Sequence, residues 1–329
     1  MINFLAIGDP HLRTDCLDIC ELFCNQIKKI IIDNEFDYVI ILGDVLHNHE
    51  KINTTVLNMA VNLFEFISKK TKLYVIVGNH DYINNSQFLT SNHWMNCLNG
   101  YKNIHIIDNV VKVIHGEHKF VLCPYVPNGR LEEALNNIND WKEMDIIFAH
   151  QELRSVKINT NGRISTTGDI WCKHYPTIIS GHIHHKQKID NIIYTGSSLP
   201  TSFSDSDKKY ILHFTLNNDK SFVENYILLN IPTKVTTHIT INNLNSIDND
   251  LNKNNRLIIE GTTTDFDSVE IKQQLKTLEN NGVTIVKRVK ENKKIPDVLN
   301  SNDFYVQLKS LIVEETNNDD LLKLYAKLL

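Results

Sequence analysis

Apolar runs alternate with amphipathic stretches over the first hundred residues. Uninterrupted apolar and β-branched runs predict buried strands at residues 4–7, 38–42 and 73–77. Periodic apolar spacing between them predicts two helices, over residues 14–33 with Thr14 as the cap and over residues 54–69. Continuous apolar strands separated by helices are typical of a largely parallel sheet that is covered on both faces.

Shorter strands dominate after residue 103. The pattern predicts strands at residues 104–107, 110–114, 120–123, 146–148 and 177–179, and a short helix over 131–139. Three further strands, at residues 192–195, 210–216 and 223–229, are expected to form a closing antiparallel set. Together these elements predict an α/β fold in which a sandwich of two sheets has its helices on the outside.

A boundary is expected near Pro232, because a smaller strand–strand–helix–strand pattern follows it. The strands are predicted at residues 235–241, 257–260 and 283–289, the helix over 267–280, with an αL stop at Asn281-Gly282. Apolar residues at helical spacing between 303 and 329 predict two terminal helices. We therefore expect three parts: a main domain at 1–230, a smaller domain at 231–295 and C-terminal helices at 296–329.

Composition limits the protein class. Of 329 residues, 42% are hydrophobic and 22% charged, which is typical of a globular chain and excludes an intrinsically disordered one. No apolar run reaches about 18 residues, so no membrane span is expected, and no leader is expected ahead of the first strand. The net charge of −5 means that a nucleic-acid surface would have to be a local patch.

Three of the six cysteines, Cys16, Cys20 and Cys24, recur every four residues and therefore share one helix face. The chain has no C-x-x-C pair and no spacing typical of a disulfide framework. We interpret the three as small buried apolar residues in a reducing compartment, which favours a cytoplasmic location, or the host cell if the gene is viral.

Five short motifs each follow or close a predicted buried strand. In chain order they are Asp9-Pro10-His11, Gly43-Asp44-Val45-Leu46-His47, Gly78-Asn79-His80-Asp81, Ala149-His150 and Gly181-His182-Ile183-His184. The carboxyl ends of strands in an open α/β sheet line one crevice, so distant motifs can meet there. The five motifs therefore predict a single site.

The residue types of that site suit a pair of divalent cations. Carboxylate, imidazole and amide-oxygen groups favour manganese, iron, zinc or magnesium over thiophilic ions. Asp9 and His11 alternate by two, which on an extended segment turns both side chains toward one ion, and His182 and His184 repeat that spacing. Asp44 is the natural bridge between two ions.

These motifs resemble those of the calcineurin-like metallophosphoesterase superfamily, whose pattern is D-x-H, G-D, G-N-H-D/E, H and G-H-x-H. The resemblance covers roughly residues 1–230 and implies a four-layer sandwich of two mixed sheets flanked by helices. It also implies which residues bind the ions: Asp9, His11, Asp44 and His184 for the first, and Asp44, Asn79, His150 and His182 for the second. His80 would stabilise phosphoryl oxygens or protonate the leaving group, and Asp81 would set its orientation and charge. The implied reaction is attack on phosphorus by a hydroxide that the two metals activate.

The second motif resembles the G-D-L-F-H of the SbcD and Mre-eleven DNA nucleases. That resemblance implies a role for His47 in positioning a phosphodiester, with His49 as the alternative on spacing. The segment after G-H-x-H resembles the G-S-x-x-x-x-S-F of that family and makes Ser197 and Ser198 candidate phosphate contacts. The smaller domain resembles the capping domain of these nucleases, and Lys287, Arg288 and Lys290 are its candidate DNA contacts.

The resemblance implies a manganese-dependent 3′–5′ exonuclease and endonuclease for DNA end processing, recombination and repair. Magnesium, iron or zinc would be the alternative metals. Its implied partners are DNA, an SbcC or Rad-fifty-type ATPase and a second copy of the chain. Two alternatives stay open on the sequence: a small-molecule or cyclic-nucleotide phosphodiesterase with the same metals, and a non-catalytic scaffold with a vestigial site.

Overall fold

The computed structural model describes residues 1–49, 51–158, 162–203, 208–247, 251 and 254–290. The chain divides into two compact units. The first consists of Met1–Thr236 with Asn254–Arg256. The second contains, among the described residues, 237–247, 251 and 257–290. The terminal helices predicted over 303–329 lie outside the described residues.

Fifteen strands and five α-helices are found in the described part of the chain. The strands are β1 (Ile2–Ile7), β2 (Tyr38–Ile41), β3 (Lys72–Ile76), β4 (Ile104–Ile107), β5 (Val111–His115), β6 (His118–Cys123), β7 (Ile146–His150), β8 (Thr177–Gly181), β9 (Gln187–Ile189), β10 (Ile192–Tyr194), β11 (Lys209–Leu216), β12 (Phe222–Leu229), β13 (Val235–Thr240), β14 (Asn255–Gly261) and β15 (Thr284–Val289). The α-helices are α1 (Leu17–Asp33), α2 (Thr54–Ser68), α3 (Leu131–Leu135), α4 (Thr263–Asp267) and α5 (Val269–Asn280).

Two six-stranded mixed sheets form the first unit. The first sheet has the order β12-β11-β1-β2-β3-β4, and β1 to β4 run parallel. The second has the order β5-β6-β7-β8-β10-β9, with β6, β7, β8 and β10 parallel and an antiparallel strand at each edge. Parallel strands end at the same edge, so each sheet presents several carboxyl ends together.

Alternation along the strands divides the core into layers. Phe4 of β1 lies in the apolar layer between the sheets, with ring centroids 5.2 Å from those of Phe120 and Phe148. Its neighbour Leu5 points to the opposite face, where α1 and α2 cover the first sheet. A third apolar cluster around Trp141 covers the outer face of the second sheet. The layers form the predicted sandwich of two mixed sheets with helices outside.

The second unit is built around the three-stranded sheet β13-β14-β15. Its core includes Leu257 and Ile259 of β14 and Leu275 of α5. The predicted helix over 267–280 is interrupted at Ser268, so that α4 precedes α5, and a capping box between Thr262 and Asp265 fixes the start of α4.

Three local predictions were wrong. The helix expected from Thr14 starts instead as a 3₁₀ turn over Thr14–Cys16, and Cys16 rather than Thr14 is the N-cap residue of α1. The helix expected over 131–139 ends at Leu135. Strand β10 is parallel to β8 in the second sheet rather than part of an antiparallel closing set with β11 and β12. The short polar strand β9, which gave no apolar signal, forms the hairpin that brings β10 there.

Cys16, Cys20 and Cys24 are buried thiols in the core under α1, as predicted from their spacing. No helix in the described ranges combines the length and the apolarity that a membrane crossing requires.

Candidate metal centre

The five motifs meet at one edge of the sandwich, where strands of both sheets end. Asp9 and His11 follow β1, Asp44 follows β2, Asn79 and His80 follow β3, His150 ends β7, and His182 and His184 follow β8. Backbone hydrogen bonds from His11 N to Asp44 O (2.9 Å) and from Leu12 N to Val45 O (2.8 Å) extend the β1–β2 pairing into the motifs. The sequence prediction that these segments converge is therefore correct.

Glycines allow the two sheets to approach closely at this edge. A Cβ on Gly181 would lie 2.5 Å from both Asp9 Oδ1 and Leu42 O. Gly43 has a φ of +101°, and a Cβ there would collide with the ring of His150. Space therefore requires glycine at both positions, and at Gly43 the backbone conformation requires it as well.

Four candidate ligands have left-handed backbone conformations that are rare for residues with side chains. The φ values are +33° for Asp9, +45° for His11, +50° for Asp44 and +77° for His182. Such strain costs on the order of 1–3 kcal/mol per residue and concentrates at functional sites. The turns after the strands are therefore shaped to aim these side chains at a common centre.

One cluster of ligand atoms is formed by Asp44, Asn79, His150 and His182. Asn79 Oδ1 lies 3.0 Å from His150 Nε2 and 2.9 Å from His182 Nδ1. Asp44 Oδ1 lies 3.3 Å from His150 Nε2. The ligand atoms of Asp44, His150 and His182 are all within 4.8 Å of one another. These residues form the second predicted ligand set.

The other predicted set, Asp9, His11, Asp44 and His184, is also brought together. His11 Nε2 lies 3.0 Å from His184 Nε2 and 3.5 Å from Asp44 Oδ2. Asp9 Oδ1 accepts the backbone hydrogen bond of His182 (3.0 Å) and lies 3.4 Å from His150 Nδ1. Asp44 touches both clusters, as expected of a bridging carboxylate.

The donor set fits divalent cations. Asp9 is fully buried, and its Oδ2 has no hydrogen-bond partner, which in the absence of a cation is costly for a carboxylate oxygen. His11 Nε2 and His184 Nε2 face each other at 3.0 Å, and a cation between them would bind the lone pairs of both rings in place of a shared hydrogen. A cation between such acceptor atoms satisfies all of them, and carboxylate, imidazole and amide oxygen are ligands of Mn, Fe, Zn or Mg.

Electrostatics prepare the site for a cation. Burial lowers the pKa of His182 to about 3 and that of His11 well below its usual value, so both imidazoles are neutral near pH 7. Burial opposes ionisation of Asp44, but the adjacent His150 and His11 hold its pKa well below the usual range. Neutral imidazoles and an ionised carboxylate are the forms that bind metals.

Several candidate ligands are oriented by hydrogen bonds that they make through atoms other than the ligand atom. His150 Nδ1 donates to Leu42 O at 2.6 Å, which leaves Nε2 as its ligand atom. Asn79 Nδ2 donates to Asn85 Oδ1 at 3.3 Å, which turns its Oδ1 toward the histidines. Thr201 Oγ1 lies 2.9 Å from His184 Nδ1. Outer contacts of this kind fix the ring orientation and basicity of metal ligands.

His80 lies beside the clusters with a different set of contacts. Its backbone N–H donates to Asp44 Oδ1 (2.8 Å), and its ring Nδ1 donates to the carbonyl of His47 (2.6 Å). The ring centroid of His47 lies 5.7 Å from that of His80 and 5.3 Å from that of His11. His49, the alternative to His47, stacks on His80 at 4.3 Å. Both candidate histidines thus belong to the same group, and geometry alone does not choose between them.

The predicted role of Asp81 requires correction. Its carboxylate accepts hydrogen bonds from Gly78 N (3.0 Å), Val45 N (3.1 Å) and Trp94 Nε1 (3.0 Å). The Nδ1 of His80 is held by the carbonyl of His47 instead. Asp81 therefore ties the second and third motifs together, and it does not orient the His80 ring as the motif order implied.

Ser197 and Ser198 are also placed differently from the prediction. Both are buried, and their N–H groups donate to the carbonyls of His184 (3.2 Å) and Gly8 (2.8 Å). Lys209 donates to Ser197 Oγ (2.8 Å), and Ser198 Oγ donates to Gly8 O (2.6 Å). With their donors engaged, the two serines hold the backbone around the site and do not present N–H groups to phosphate.

The sequence did not identify the residues that hydrogen-bond to the candidate ligands or hold the backbone beside them. Thr201 lies in the segment that was singled out, but three residues beyond the serines. Arg13 is buried and donates to the carbonyls of Pro200 and Thr201, each at 2.8 Å. The sequence offered one signal for Arg13, which is that it is a basic residue two positions after the D-x-H motif. Nothing in the local pattern pointed to Asn85.

Lys287, Arg288 and Lys290 are exposed at the end of the second unit, in β15 and directly after it. Strand β15 is an edge of its sheet. Lys290 Nζ lies 3.4 Å from a carboxylate oxygen of Glu260, and Lys287 lies over the ring of Phe266. The predicted DNA contacts are therefore exposed, although Lys290 is partly neutralised.

Comparisons with known proteins agree with this geometry. The family model for calcineurin-like phosphoesterases matches residues 2–186. A provisionally named phosphoesterase of Invertebrate iridescent virus 6, 244L, is 41% identical over 220 residues, which are 66% of this chain and 77% of that protein. Another provisionally named phosphoesterase, 078R of Invertebrate iridescent virus 3, is 40% identical over 222 residues, 66% of this chain and 63% of that protein. The chain thus spans slightly less than two thirds of the length of 078R.

Among solved structures, YfcE, a phosphoesterase from E. coli, is similar with 13% identity and a TM-score of 0.31, over 70% of this chain and 100% of that chain. Similarity this low supports no statement about the function of this chain. The family match covers more than half of the chain and includes every motif from Asp9 to His184. The chain therefore belongs to the calcineurin-like metallophosphoesterase family.

Proposed function

We propose that this phosphoesterase is a manganese-dependent DNA nuclease of the SbcD and Mre-eleven type, with exonuclease and endonuclease activity. The observation that carries the proposal is the histidine group beside the metal clusters. Ring nitrogens of His11, His47 and His80 all lie within 4.8 Å of one another. A phosphodiester needs contacts on the phosphoryl oxygens and at the ester oxygens, and the imidazoles of His47 and His80 are available for them next to the cation that His11 would bind.

Two divalent cations held by Asp9, His11, Asp44, Asn79, His150, His182 and His184 would supply charge neutralisation at the phosphoryl oxygens and a hydroxide at neutral pH. Manganese is proposed because it accepts this mixture of oxygen and nitrogen ligands; magnesium, iron and zinc are the alternatives.

His80 is the proposed acid of the reaction. Its Nδ1 hydrogen is committed to the carbonyl of His47, so Nε2 is the nitrogen that acts on the substrate. Burial lowers the pKa of the His80 ring, so Nε2 carries a hydrogen only in the charged form, which a bound phosphate would stabilise. In that form the ring can donate from Nε2 to a phosphoryl oxygen or to the departing ester oxygen. His47 is fixed in turn by its backbone N–H, which donates to Leu12 O at 3.2 Å. We propose that its ring positions the phosphodiester.

The partners follow from the same proposal. Lys287, Arg288 and Lys290 would contact DNA phosphates without sequence preference. An SbcC or Rad-fifty-type ATPase and a second copy of the chain are the proposed protein partners, with residues 231–295 as the capping domain and 296–329 as the docking segment. The relatives 244L and 078R are viral proteins, which supports a place of action in an infected host cell.

The test is release of nucleotides from end-labelled linear duplex DNA with Mn²⁺. Wild type is compared with His80→Ala and with His174→Ala, which removes an exposed histidine outside the motifs. We expect release by wild type and His174→Ala and loss of release in His80→Ala. Intact DNA together with rapid hydrolysis of bis(p-nitrophenyl) phosphate would refute the nuclease proposal and favour a small-molecule phosphodiesterase.

A further inference from the structure

A cleft of about 610 Å³ opens beside the metal centre. Its lining comes from the segments that follow the second and third motifs, and consists of Asn48, His49, Lys51, Ile83, Asn84 and Asn85. Glu50 lies outside the described residues. The volume is within the range of cavities that take a small ligand.

Two lining residues contact the metal centre directly. The ring of His49 stacks on that of His80, with centroids 4.3 Å apart and an interplanar angle of 23°. Asn85 Oδ1 accepts the hydrogen bond from Asn79 Nδ2 at 3.3 Å. A molecule in the cleft would therefore lie next to the phosphorus that His80 and the cations act upon.

The walls of the cleft are held in place before any ligand binds. Asn84 Oδ1 accepts from Ser86 N (3.0 Å) and from Gln87 Nε2 (3.3 Å), which closes the turn after the third motif. His49 Nδ1 donates to Tyr82 O at 3.2 Å. Preorganised walls reduce the entropy that binding has to overcome.

The chemistry of the lining matches a nucleoside. The Oδ1 atoms of Asn84 and Asn85 accept hydrogen bonds within the protein, and the NH₂ groups of these amides can donate to base carbonyls and sugar hydroxyls. The side chain of Ile83 is 41% exposed and offers an apolar face for a ring. The ammonium of Lys51 is exposed and can donate hydrogen bonds to a base carbonyl or a sugar hydroxyl.

A second cleft of about 500 Å³ serves as an internal comparison. It is lined by Asn3, Ile32, Lys70 and Thr71 among others, at the opposite ends of β1 to β3. Glu35 and Asp37 also line it, and these carboxylates would repel a phosphate. Its asparagine, isoleucine and lysine side chains are of the same kinds as those of the first cleft, but they lie far from the metal centre.

We propose that the cleft lined by His49, Ile83 and Lys51 is a nucleoside subsite, which binds the nucleoside esterified to the scissile phosphate. The proposal rests on the proposed phosphodiesterase activity and names the substrate group that this site selects. His49 then has a role distinct from that of His47: it forms the wall between the nucleoside and His80.

The test compares two diesters with the same leaving group, thymidine 5′-(p-nitrophenyl phosphate) and methyl p-nitrophenyl phosphate, with Mn²⁺. Wild type should favour the thymidine ester in kcat/KM. In Ile83→Ala and Lys51→Ala, the ratio of the two kcat/KM values should fall by about tenfold. The matched controls Ile32→Ala and Lys70→Ala in the remote cleft should keep the wild-type ratio. Binding of thymidine 5′-phosphate is measured in parallel by titration calorimetry.

The outcomes separate the two proposals. A ratio that falls only in the variants of the proposed subsite supports it, even if DNA is not cleaved. Hydrolysis of both diesters with an unchanged ratio in Ile83→Ala and Lys51→Ala overturns the subsite and leaves the diesterase standing. If wild type hydrolyses neither ester, the diesterase proposal fails, and the calorimetry decides the subsite: thymidine 5′-phosphate binding that weakens in these variants supports it, and no binding overturns it.

Discussion

The hydroxyl of Thr201 lies 2.9 Å from Nδ1 of His184, on the side of the ring opposite the nitrogen that faces His11. The backbone of Thr201 is held in turn by the buried guanidinium of Arg13. A residue two positions after the first motif therefore helps to fix a candidate ligand of the fifth motif. This connection explains how imidazoles from both sheets can keep a single geometry.

Removing that hydroxyl should weaken metal binding. In Thr201→Val the Nδ1 of His184 loses this hydroxyl contact, and we expect the affinity for Mn²⁺ to fall by about tenfold or more. Thr201→Ser keeps the hydroxyl and is the matched control. Titration calorimetry on the two variants measures the difference, and equal affinities would show that Thr201 does not orient His184.

Alanine variants of His80 and His182 should distinguish a residue that takes part in the reaction from one that binds metal. His80→Ala is expected to lower kcat by about 10²–10⁴-fold while the bound metal is retained, because His80 provides proton transfer. His182→Ala should lose metal as well as activity. Elemental analysis of both dialysed variants, together with diester hydrolysis, tests this, and metal loss in His80→Ala would make His80 a ligand.

Metal affinity should rise with pH. Burial raises the pKa of Asp9 to about 6. Burial disfavours the charged form of His150, but the carboxylates of Asp44 and Asp9 raise its pKa to about 9. Without metal, His150 therefore holds a proton below about pH 9, and Asp9 holds one below about pH 6. A cation has to displace these protons.

The affinity for Mn²⁺ should consequently increase by about tenfold per pH unit for each proton displaced. One proton is displaced between pH 6 and 9, and a second contributes below about pH 6. Proton release during a calorimetric titration, measured in two buffers of different ionisation enthalpy, checks this. An affinity independent of pH in this window would mean that His150 is not a ligand.

Asp81 should act on stability. Asp81→Asn places an amide among donors from Gly78, Val45 and Trp94, so at least one donor loses its acceptor. We expect the free energy of unfolding to fall by about 1–3 kcal/mol. The exposed Asp33→Asn is the control in denaturant unfolding. Unchanged stability with a shifted pH profile of hydrolysis would restore the role that the sequence implied for Asp81.

Much of the fold was predictable because its strands are apolar on both faces. Residues such as Phe4 and Leu5 point to opposite sides, and each side of the sheet is covered, so strand and helix patterns both appear in the sequence. Strand β9 was missed because it has only three residues, two of them polar, and lies at a sheet edge. It therefore has no continuous apolar run that would predict a strand. The parallel pairing of β10 with β8 depends on that hairpin and was hidden with it.

The convergence of the candidate ligands was predictable for a similar reason. A motif at the carboxyl end of a buried strand has its position fixed by the sheet, so Asp9, Asp44 and His150 were expected to lie close together, while the resemblance to the family gave His150 its predicted role as a ligand. The outer contacts come from loops, whose course local sequence does not determine. Asp81 and Ser197 illustrate this: their neighbours in the chain suggested substrate chemistry, whereas the turn directs their polar groups into the backbone.

The number of Mn²⁺ ions bound per chain at saturation tests the central claim most directly, because two ions are what the shared carboxylate of Asp44 implies. Equilibrium dialysis followed by elemental analysis would measure it for wild type and for Asp44→Ala. The geometry predicts two ions for wild type and a loss of at least one in Asp44→Ala. Fewer than one ion in wild type, or equal binding by the variant, would contradict a two-metal centre.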